Sequence, residues 1–334
     1  MPELRKDPIL GRWIIISKER GKRPTDFIVE PSNTKGGFCP LCPGNEKTTP
    51  PEVLRYGNQT HQASNSPGWN LRVVPNKYPA LVIEGNVDKA GEGLYDKMNG
   101  IGAHEVIIET PRHEESFTHL PLERMVQVFF AYRDRLIDLA HDPRFRYVMI
   151  FKNFGRIAGA SLEHSHSQLV ALPILPRMIV SELEGSLTYY KYKERCIYCD
   201  IINQEHRDKS RIVCENERFI AICPFAPRSP FEMWILPTQH SSSYISMDNR
   251  SFELQAAIFS EALRRLDACI PNAPYNFVLH TSPLRSEPLE HFHWHFEIVP
   301  KLTQIAGFEW GSGFYINPVP PEEAAKYMRD AVLK

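Results

Sequence analysis

Two histidines one residue apart, His164 and His166, are the residues of this chain best suited to chemistry. They sit in the run Gly159-Ala-Ser-Leu-Glu-His-Ser-His-Ser-Gln168, and a second pair, His293 and His295, lies near the C-terminus. A neutral imidazole is a competent nucleophile toward phosphorus near pH 7. It needs its other ring nitrogen held by an acceptor, and it needs donors for the phosphoryl oxygens. Gln168 offers a side-chain amide for that purpose. Gly159, Ser161 and nearby backbone N–H groups offer an anion cradle. On spacing alone a second reading stands beside this one, in which both histidines are core residues bonded to backbone.

Each histidine pair follows its own Cys-x-x-Cys, Cys39 and Cys42 for the first, Cys196 and Cys199 for the second. Zinc prefers four Cys or His ligands in a tetrahedron. The spacing nominates one set per half: Cys39, Cys42, His113 and His164, then Cys196, Cys199, His240 and His293. A closed shell of this kind is structural, with no open position for water. The plain alternative is free buried cysteines beside ordinary polar histidines. Two copies with matching downstream histidines favour metal. Neither pair follows a thioredoxin-like strand into a helix, which argues against a redox role. The chain has seven cysteines, an odd number, four of them in these pairs. In a reducing compartment that usage favours metal over disulfides.

The elements that must hold these residues recur in the same order. In the first half an apolar run, Leu71 to Val74, precedes a strand that leads to His113. A helix from Leu122 to about His141, a buried strand from Tyr147 to Asn153 and the His164/His166 pair follow. In the second half, Phe219 to Ile222 precedes a strand ending in His240. A helix from Phe252 to about Cys269, a strand from Tyr275 to His280 and the second histidine pair follow. His113 to His164 is 51 residues and His240 to His293 is 53. His113 to Tyr147 is 34 and His240 to Tyr275 is 35. The pattern predicts an α+β fold of two modules, 1–180 and 181–334, related by internal duplication. Each is a mostly antiparallel sheet with one long helix. Residues 33–68 and 281–290 read as loops, and the segment from Pro320 starts like a helix.

Composition narrows the partners. The net charge is −1, so no global field favours nucleic acid or a membrane surface. The basic excess is local: residues 1–23 hold seven Lys/Arg against three Asp/Glu. That patch suits a small phosphorylated substrate better than nucleic acid. No apolar run approaches a membrane span, and the first residues lack a signal core, so a cytoplasmic protein is expected.

The run His164-Ser-His166-Ser-Gln168, with Gly159 and Ser161 before it, resembles the active-site motif of galactose-1-phosphate uridylyltransferases, a branch of the histidine-triad superfamily. The resemblance extends over nearly the whole chain. It includes Arg5-Lys-Asp-Pro8 with Arg12-Trp13, Lys22 to Phe27, Arg72 to Asn76, Asn153, Glu182, His280 and Gly307-Phe308-Glu309. It implies two histidine-triad-like modules, the second catalytically degenerate. It implies a ping-pong nucleotidyl transfer in which His166 attacks the α-phosphorus of a nucleoside-diphosphate sugar, and a sugar 1-phosphate then takes the nucleotide. Gln168 supports the phosphoryl oxygens. Asn76, Asn153, Gly159 and Ser161 match nucleotide- and phosphate-handling positions, and Gly307, Phe308 and Glu309 fall in the sugar-facing segment. Arg20 and Arg23 match a basic block that would neutralise the substrate, unless they are plain solvated charges. A homodimer is implied, with the Gly307–Asn317 loop completing the partner's pocket. The reaction expected is UDP-glucose with galactose 1-phosphate.

Two departures bear on that expectation. Ser165 replaces the usual Pro and Ser167 the frequent Gly, and the His-Ser-His-Ser-Gln form resembles the plant-type ADP-glucose phosphorylases. An adenylyl-transferring phosphorylase is therefore the alternative, with a histidine-triad hydrolase behind it. In the family a Glu and three His hold a second metal, at positions matching Glu182, His280, His293 and His295. His293 cannot serve two ions. The Cys196 set is preferred as the second zinc site, because thiolates make a tighter zinc shell, although that site could hold iron.

Overall fold

The computed structural model describes residues 1–17, 23–27, 29, 37–57 and 63–333. Alternation of buried and half-buried residues marks some of its strands, and a repeat of buried residues three to four apart marks its long helices. The chain opens with strands β1 (Glu3–Lys6) and β2 (Trp13–Ile16). The first half continues with β3 (Leu54–Gly57), β4 (Trp69–Pro75), the exposed hairpin β5 (Ala90–Glu92) and β6 (Tyr95–Lys97), and β7 (Ala103–Ile108). Helix α1 (Leu122–Leu139), β8 (Tyr147–Phe154) and β9 (His166–Leu172) complete it. Helices α2 (Arg177–Lys193) and α3 (Ile197–Asp208) lead into β10 (Ile212–Glu215), β11 (Phe219–Ile222) and β12 (Met233–Pro237). Then come α4 (Asn249–Cys269), β13 (Tyr275–His280), β14 (His295–Pro300), α5 (Gly307–Ser312), β15 (Tyr315–Asn317) and α6 (Pro321–Asp330).

Ten strands form one sheet in the order β10-β11-β12-β14-β13-β8-β9-β7-β4-β3, with every neighbour antiparallel. The seam is β8 against β13, with Asn153 opposite Asn276. Outward from it the two sides follow the same chain order. Expected as two sheets, the halves share one. The boundary expected between residues 180 and 181 falls inside α2. A second sheet joins β1, β2 and β15, the last pair parallel.

The large sheet has two unlike faces. On β9, Ser167, Leu169 and Ala171 are buried beneath α1 and α4, whereas Gln168, Val170 and Leu172 are half-buried on the other side. On β8, Val148, Ile150 and Lys152 take the helix side, and Met149, Phe151 and Asn153 the other. Helix α1 meets the sheet through Met125, Val128, Phe129, Tyr132 and Leu136. Helix α4 uses Phe252, Ala256, Phe259, Leu263 and Leu266. It starts three residues before the expected Phe252, because the Asp248 carboxylate accepts from the Ser251 N–H at 2.7 Å and caps the first turn.

Three elements differ from the sequence expectation. Residues 33–68 include a strand, β3, paired on β4. Helices α2 and α3 add to the one long helix expected per half. The segment expected as a Gly-rich loop folds as α5 and β15. Glu309 accepts from the Ala306 N–H at 2.9 Å, and Gly313, at φ 71°, ends the helix.

Phe259 is fully buried, with ring centroids of Phe296 at 4.9 Å, Phe129 at 5.2 Å and Phe277 at 5.4 Å. Truncation to Ala leaves a cavity between α4 and the sheet. Phe259→Ala should cost about 3–5 kcal/mol in denaturant unfolding. A loss under about 1 kcal/mol would contradict this packing.

Candidate active site and metal clusters

A turn brings Cys39 and Cys42 to one side, with the Cys42 N–H on the Cys39 carbonyl at 3.3 Å and the Asn45 amide on the same carbonyl at 2.8 Å. Their sulfurs face two imidazoles. Cys42 Sγ lies 3.3 Å from His113 Nδ1 and 3.5 Å from His164 Nδ1, and Cys39 Sγ lies 3.8 Å from His164 Nδ1. The second cluster starts where α3 starts, with Cys196 as its N-cap and Cys199 one turn later. Cys199 Sγ lies 3.6 Å from His240 Nδ1 and 3.7 Å from His293 Nδ1. In both clusters the two rings meet edge-to-face at 5.4 Å and 86°.

These spacings test the fit to a metal. Ligand bonds of about 2.0–2.3 Å in a tetrahedron separate the ligand atoms by roughly 3.4–3.8 Å. The remaining ring nitrogens are also used as metal-bound imidazoles use them. His164 Nε2–H donates to the Thr110 carbonyl at 2.7 Å, and His293 Nε2–H to the Pro237 carbonyl at 2.9 Å. Both sets fit a four-coordinate metal such as zinc.

A third group, Glu182, His280, His295 and Glu297, is fully buried. His293 belongs to the Cys set, so Glu297, which the sequence did not single out, takes the fourth place here. Protein cations already contact its carboxylates. His280 Nδ1 lies 2.9 Å from Glu182, and Arg228 donates to Glu297. Burial, with neighbouring His280, pushes His295 down to about 4.

His166 opens β9 on the side away from α1 and α4 and is 6% exposed. Its Nδ1 lies 2.8 Å from the His164 carbonyl oxygen. A carbonyl only accepts, so Nδ1 carries the proton and Nε2 keeps its lone pair. Burial, aided by the Lys152 ammonium, lowers the His166 pKa and keeps the ring neutral. Gln168 follows two residues later on the same side. Its Oε1 lies 2.9 Å from His104 Nε2, and His104 Nδ1 accepts the Ala80 N–H at 3.1 Å. A neutral ring that accepts at Nδ1 must donate at Nε2, so Gln168 Oε1 is held and its NH₂ is turned away. Asn76 lies beside them, its Oδ1 accepting the Tyr78 N–H at 2.9 Å; its Nδ2 is 3.2 Å from His104 Nε2 but cannot bond there, because both are donors. His104 was not read as a site residue, because its place beside Gln168 depends on the β7–β9 register, His104 opposite Val170.

Asn153 Oδ1 accepts from Asn276 at 2.7 Å, across the seam. Gly155 and Gly159, at φ 83° and 90°, shape the turn after β8. The Gly159 N–H is already bonded to the Arg156 carbonyl at 3.0 Å, so Gly159 shapes the cradle instead of donating to it. Ser161 is exposed on this loop. Over the seam lies a cavity of about 500 Å³, lined by Phe151, Asn153, Ala158, Asn276, Lys301, Glu309 and Tyr315 among others. Glu309 thus shares a cavity with Asn153. Phe308 is half exposed, and Gly307 has open space where a side chain would point. Arg23 is exposed, and Arg20 lies outside the described residues.

Residues 1–176 match the family model described as galactose-1-phosphate uridyl transferase, N-terminal domain. Residues 116–334 match one described as Domain of unknown function (DUF4921). An ADP-glucose phosphorylase of Arabidopsis thaliana is 37% identical over 99% of this chain and 93% of its own length. The chain belongs to the galactose-1-phosphate uridylyltransferase family. A galactose-1-phosphate uridylyltransferase of Thermotoga maritima is 30% identical over the full length of both chains. The crystal structure of the Arabidopsis thaliana ADP-glucose phosphorylase with bound ADP-glucose superposes with a TM-score of 0.84, at 35% identity and full coverage of both chains. Among the described residues no helix is long and apolar enough to cross a membrane.

In this member of the uridylyltransferase family, each Cys/His cluster ties segments distant in sequence. Purified protein should carry about two tightly held metal ions, and Cys39→Ser or Cys196→Ser should each lose one along with several kcal/mol of stability. Elemental analysis finding no zinc or iron in the wild type would contradict this.

Proposed function

We propose that this enzyme transfers a nucleotidyl group through a nucleotidyl-His166 intermediate. The observation that carries the reading is the His166 tautomer, Nδ1–H fixed on the His164 carbonyl and Nε2 left with its lone pair. Nε2 attacks the α-phosphorus of a nucleoside-diphosphate sugar. The bond from that phosphorus to the bridging oxygen breaks, and its electron pair leaves on the sugar 1-phosphate. A phosphate oxygen of the acceptor then attacks the same phosphorus, and the electron pair of the P–N bond returns to His166 Nε2. The Gln168 NH₂ and Ser161 support the phosphoryl oxygens, within the turn shaped by Gly159. Asn76 and Asn153 hold nucleotide and phosphate, Arg23 and Arg20 add positive charge, and Gly307, Phe308 and Glu309 face the sugar. Zinc in both Cys/His clusters is structural.

The two halves read as duplicated histidine-triad-like modules, 1–180 and 181–334, of which only the first is active. His295 repeats the His166 bond, its Nδ1 3.0 Å from the His293 carbonyl. Its ring is covered, however, by Tyr198 at 5.2 Å and Trp234 at 5.5 Å. At 1% exposed it is further from solvent than His166, which supports this reading.

Two donors fit this reading. The sequence expectation was UDP-glucose, with galactose 1-phosphate as acceptor. The 37% identity to an ADP-glucose phosphorylase, against 30% to a uridylyltransferase, favours ADP-glucose with inorganic phosphate. Intact-mass measurement after separate incubation with ADP-glucose and UDP-glucose distinguishes them. The expected result is the added mass of AMP or of UMP on the wild type and none on His166→Asn. Parallel double-reciprocal lines should accompany it. Intersecting lines with no labelled protein would mean direct transfer and would remove His166 from the nucleophile's role.

A cytoplasmic homodimer completes the proposal. Trp310, 81% exposed beside Glu309, suits a surface that a partner covers. Light scattering should give a dimer, and Trp310→Ser should weaken it. A fully active monomer would contradict this part.

A further inference from the structure

Directly beneath the histidine pair, on the helix side of the sheet, lies a buried charge pair for which stability alone gives no reason. Lys152 Nζ donates to Glu109 Oε2 at 2.6 Å, and neither side chain is more than 2% exposed. Ser165 Oγ donates to the same carboxylate oxygen at 2.6 Å, and the Glu109 N–H donates to the Ser165 carbonyl at 3.2 Å. Lys152 also donates to the carbonyl of His166 itself, at 2.8 Å. A buried ion pair contributes little net stability compared with apolar residues of similar volume. The second half is built in that apolar way. The residue between its two histidines is Trp294, packed on Phe219, Tyr244 and Phe296.

We infer that Lys152, Glu109 and Ser165 are positioning residues, which hold the 164–166 backbone so that the His164 carbonyl stays aimed at His166 Nδ1. The inference rests on the nucleophilic reading of His166 above. The constraint acts on two successive residues of the backbone. Ser165 is held through its side chain and its carbonyl, and His166 through its own carbonyl. The peptide whose carbonyl fixes the tautomer therefore has little freedom to rotate. Without the network that peptide gains alternative orientations, and the fraction of molecules with Nε2 aimed at the substrate falls. Substrate contacts lie on the opposite side of the sheet and stay intact. The loss should therefore appear in the rate of covalent transfer and leave nucleotide-sugar binding alone.

Lys152→Met alone leaves Glu109 as a buried unpaired charge and endangers folding. Lys152→Met/Glu109→Leu removes both charges and keeps the volume. The experiment measures single-turnover formation of nucleotidyl-enzyme by quenched-flow mass spectrometry, with ADP-glucose and UDP-glucose as probes. Affinity for each, bound metal and thermal unfolding are followed in parallel. For Ser165→Ala and for the double variant the transfer rate should fall by about 10- to 100-fold, the scale of losing charge-assisted hydrogen bonds. Affinity should stay within about twofold. Ser165→Thr, which keeps the hydroxyl, should recover the rate lost in Ser165→Ala. Wild-type transfer rates in both Ser165→Ala and the double variant would overturn the inference. So would a loss of bound metal in step with the rate, which would route the effect through His164. If the wild type forms no nucleotidyl-enzyme with either probe, the nucleophilic reading fails, and this inference with it. A slow variant beside a labelled wild type leaves that reading intact.

Discussion

The His164 peptide joins two tasks that most proteins keep apart. Its imidazole closes the Cys39/Cys42 cluster, and its carbonyl oxygen receives the His166 proton. Any movement that loosens the cluster moves the acceptor that selects the His166 tautomer. On the proposed reading, a Cys/His cluster fit to hold a structural metal is thereby coupled to the nucleophile two residues away. Shape is transmitted through one peptide unit, which a hydrogen bond of 2.8 Å can report faithfully only if the backbone does not swing.

The sheet bears on the proposal that the motif serves one half and not the other. Both halves use a Cys/His cluster, a histidine pair and a strand order that repeats outward from the β8–β13 seam. The difference is what lies over the face away from α1 and α4. Beside the seam that face borders the cavity in both halves, through Phe151 and Asn153 of the first and Asn276 and Val278 of the second. Over the histidine pair of the second half, however, Tyr198 of α3 packs against both His293 and His295, and His280 stacks on His295 at 4.8 Å. The cysteines that start α3 belong to the second cluster, so the cluster also anchors the helix that seals the spare site.

How much of this the sequence disclosed depends on the range of each interaction. The Cys-x-x-Cys turns, the matching histidine spacings and the long helices α1 and α4 follow from local pattern. Lys152 was legible only as a polar residue in a buried strand, since its partner Glu109 is 43 residues earlier and met only through folding. His104 and Glu297 were hidden for the same reason. Each becomes a site residue through cross-strand register, and a one-residue slip would turn it to the other face. Helix α2 was missed because its stop is not a glycine: Glu194 takes the left-handed conformation at φ 54°. The short α5 depends on one side-chain cap from Glu309, a weak signal inside a Gly-rich run.

Burial also bears on what can accept the nucleotide. A nucleotidyl-histidine in an open site would be lost to water, the commonest nucleophile present. His166 is 6% exposed, and the cavity beside Asn153 is walled by residues from both halves and from the 303–316 segment. On the proposed reading, Lys301 and Arg228 would meet the phosphate of an acceptor in that cavity, and Glu309 and Tyr315 its hydroxyl groups. A plain hydrolase needs none of these walls. The second half contributes Asn276, Val278, Glu297 and Val299 to the cavity, so its sheet is needed to form that cavity whatever its own histidines do.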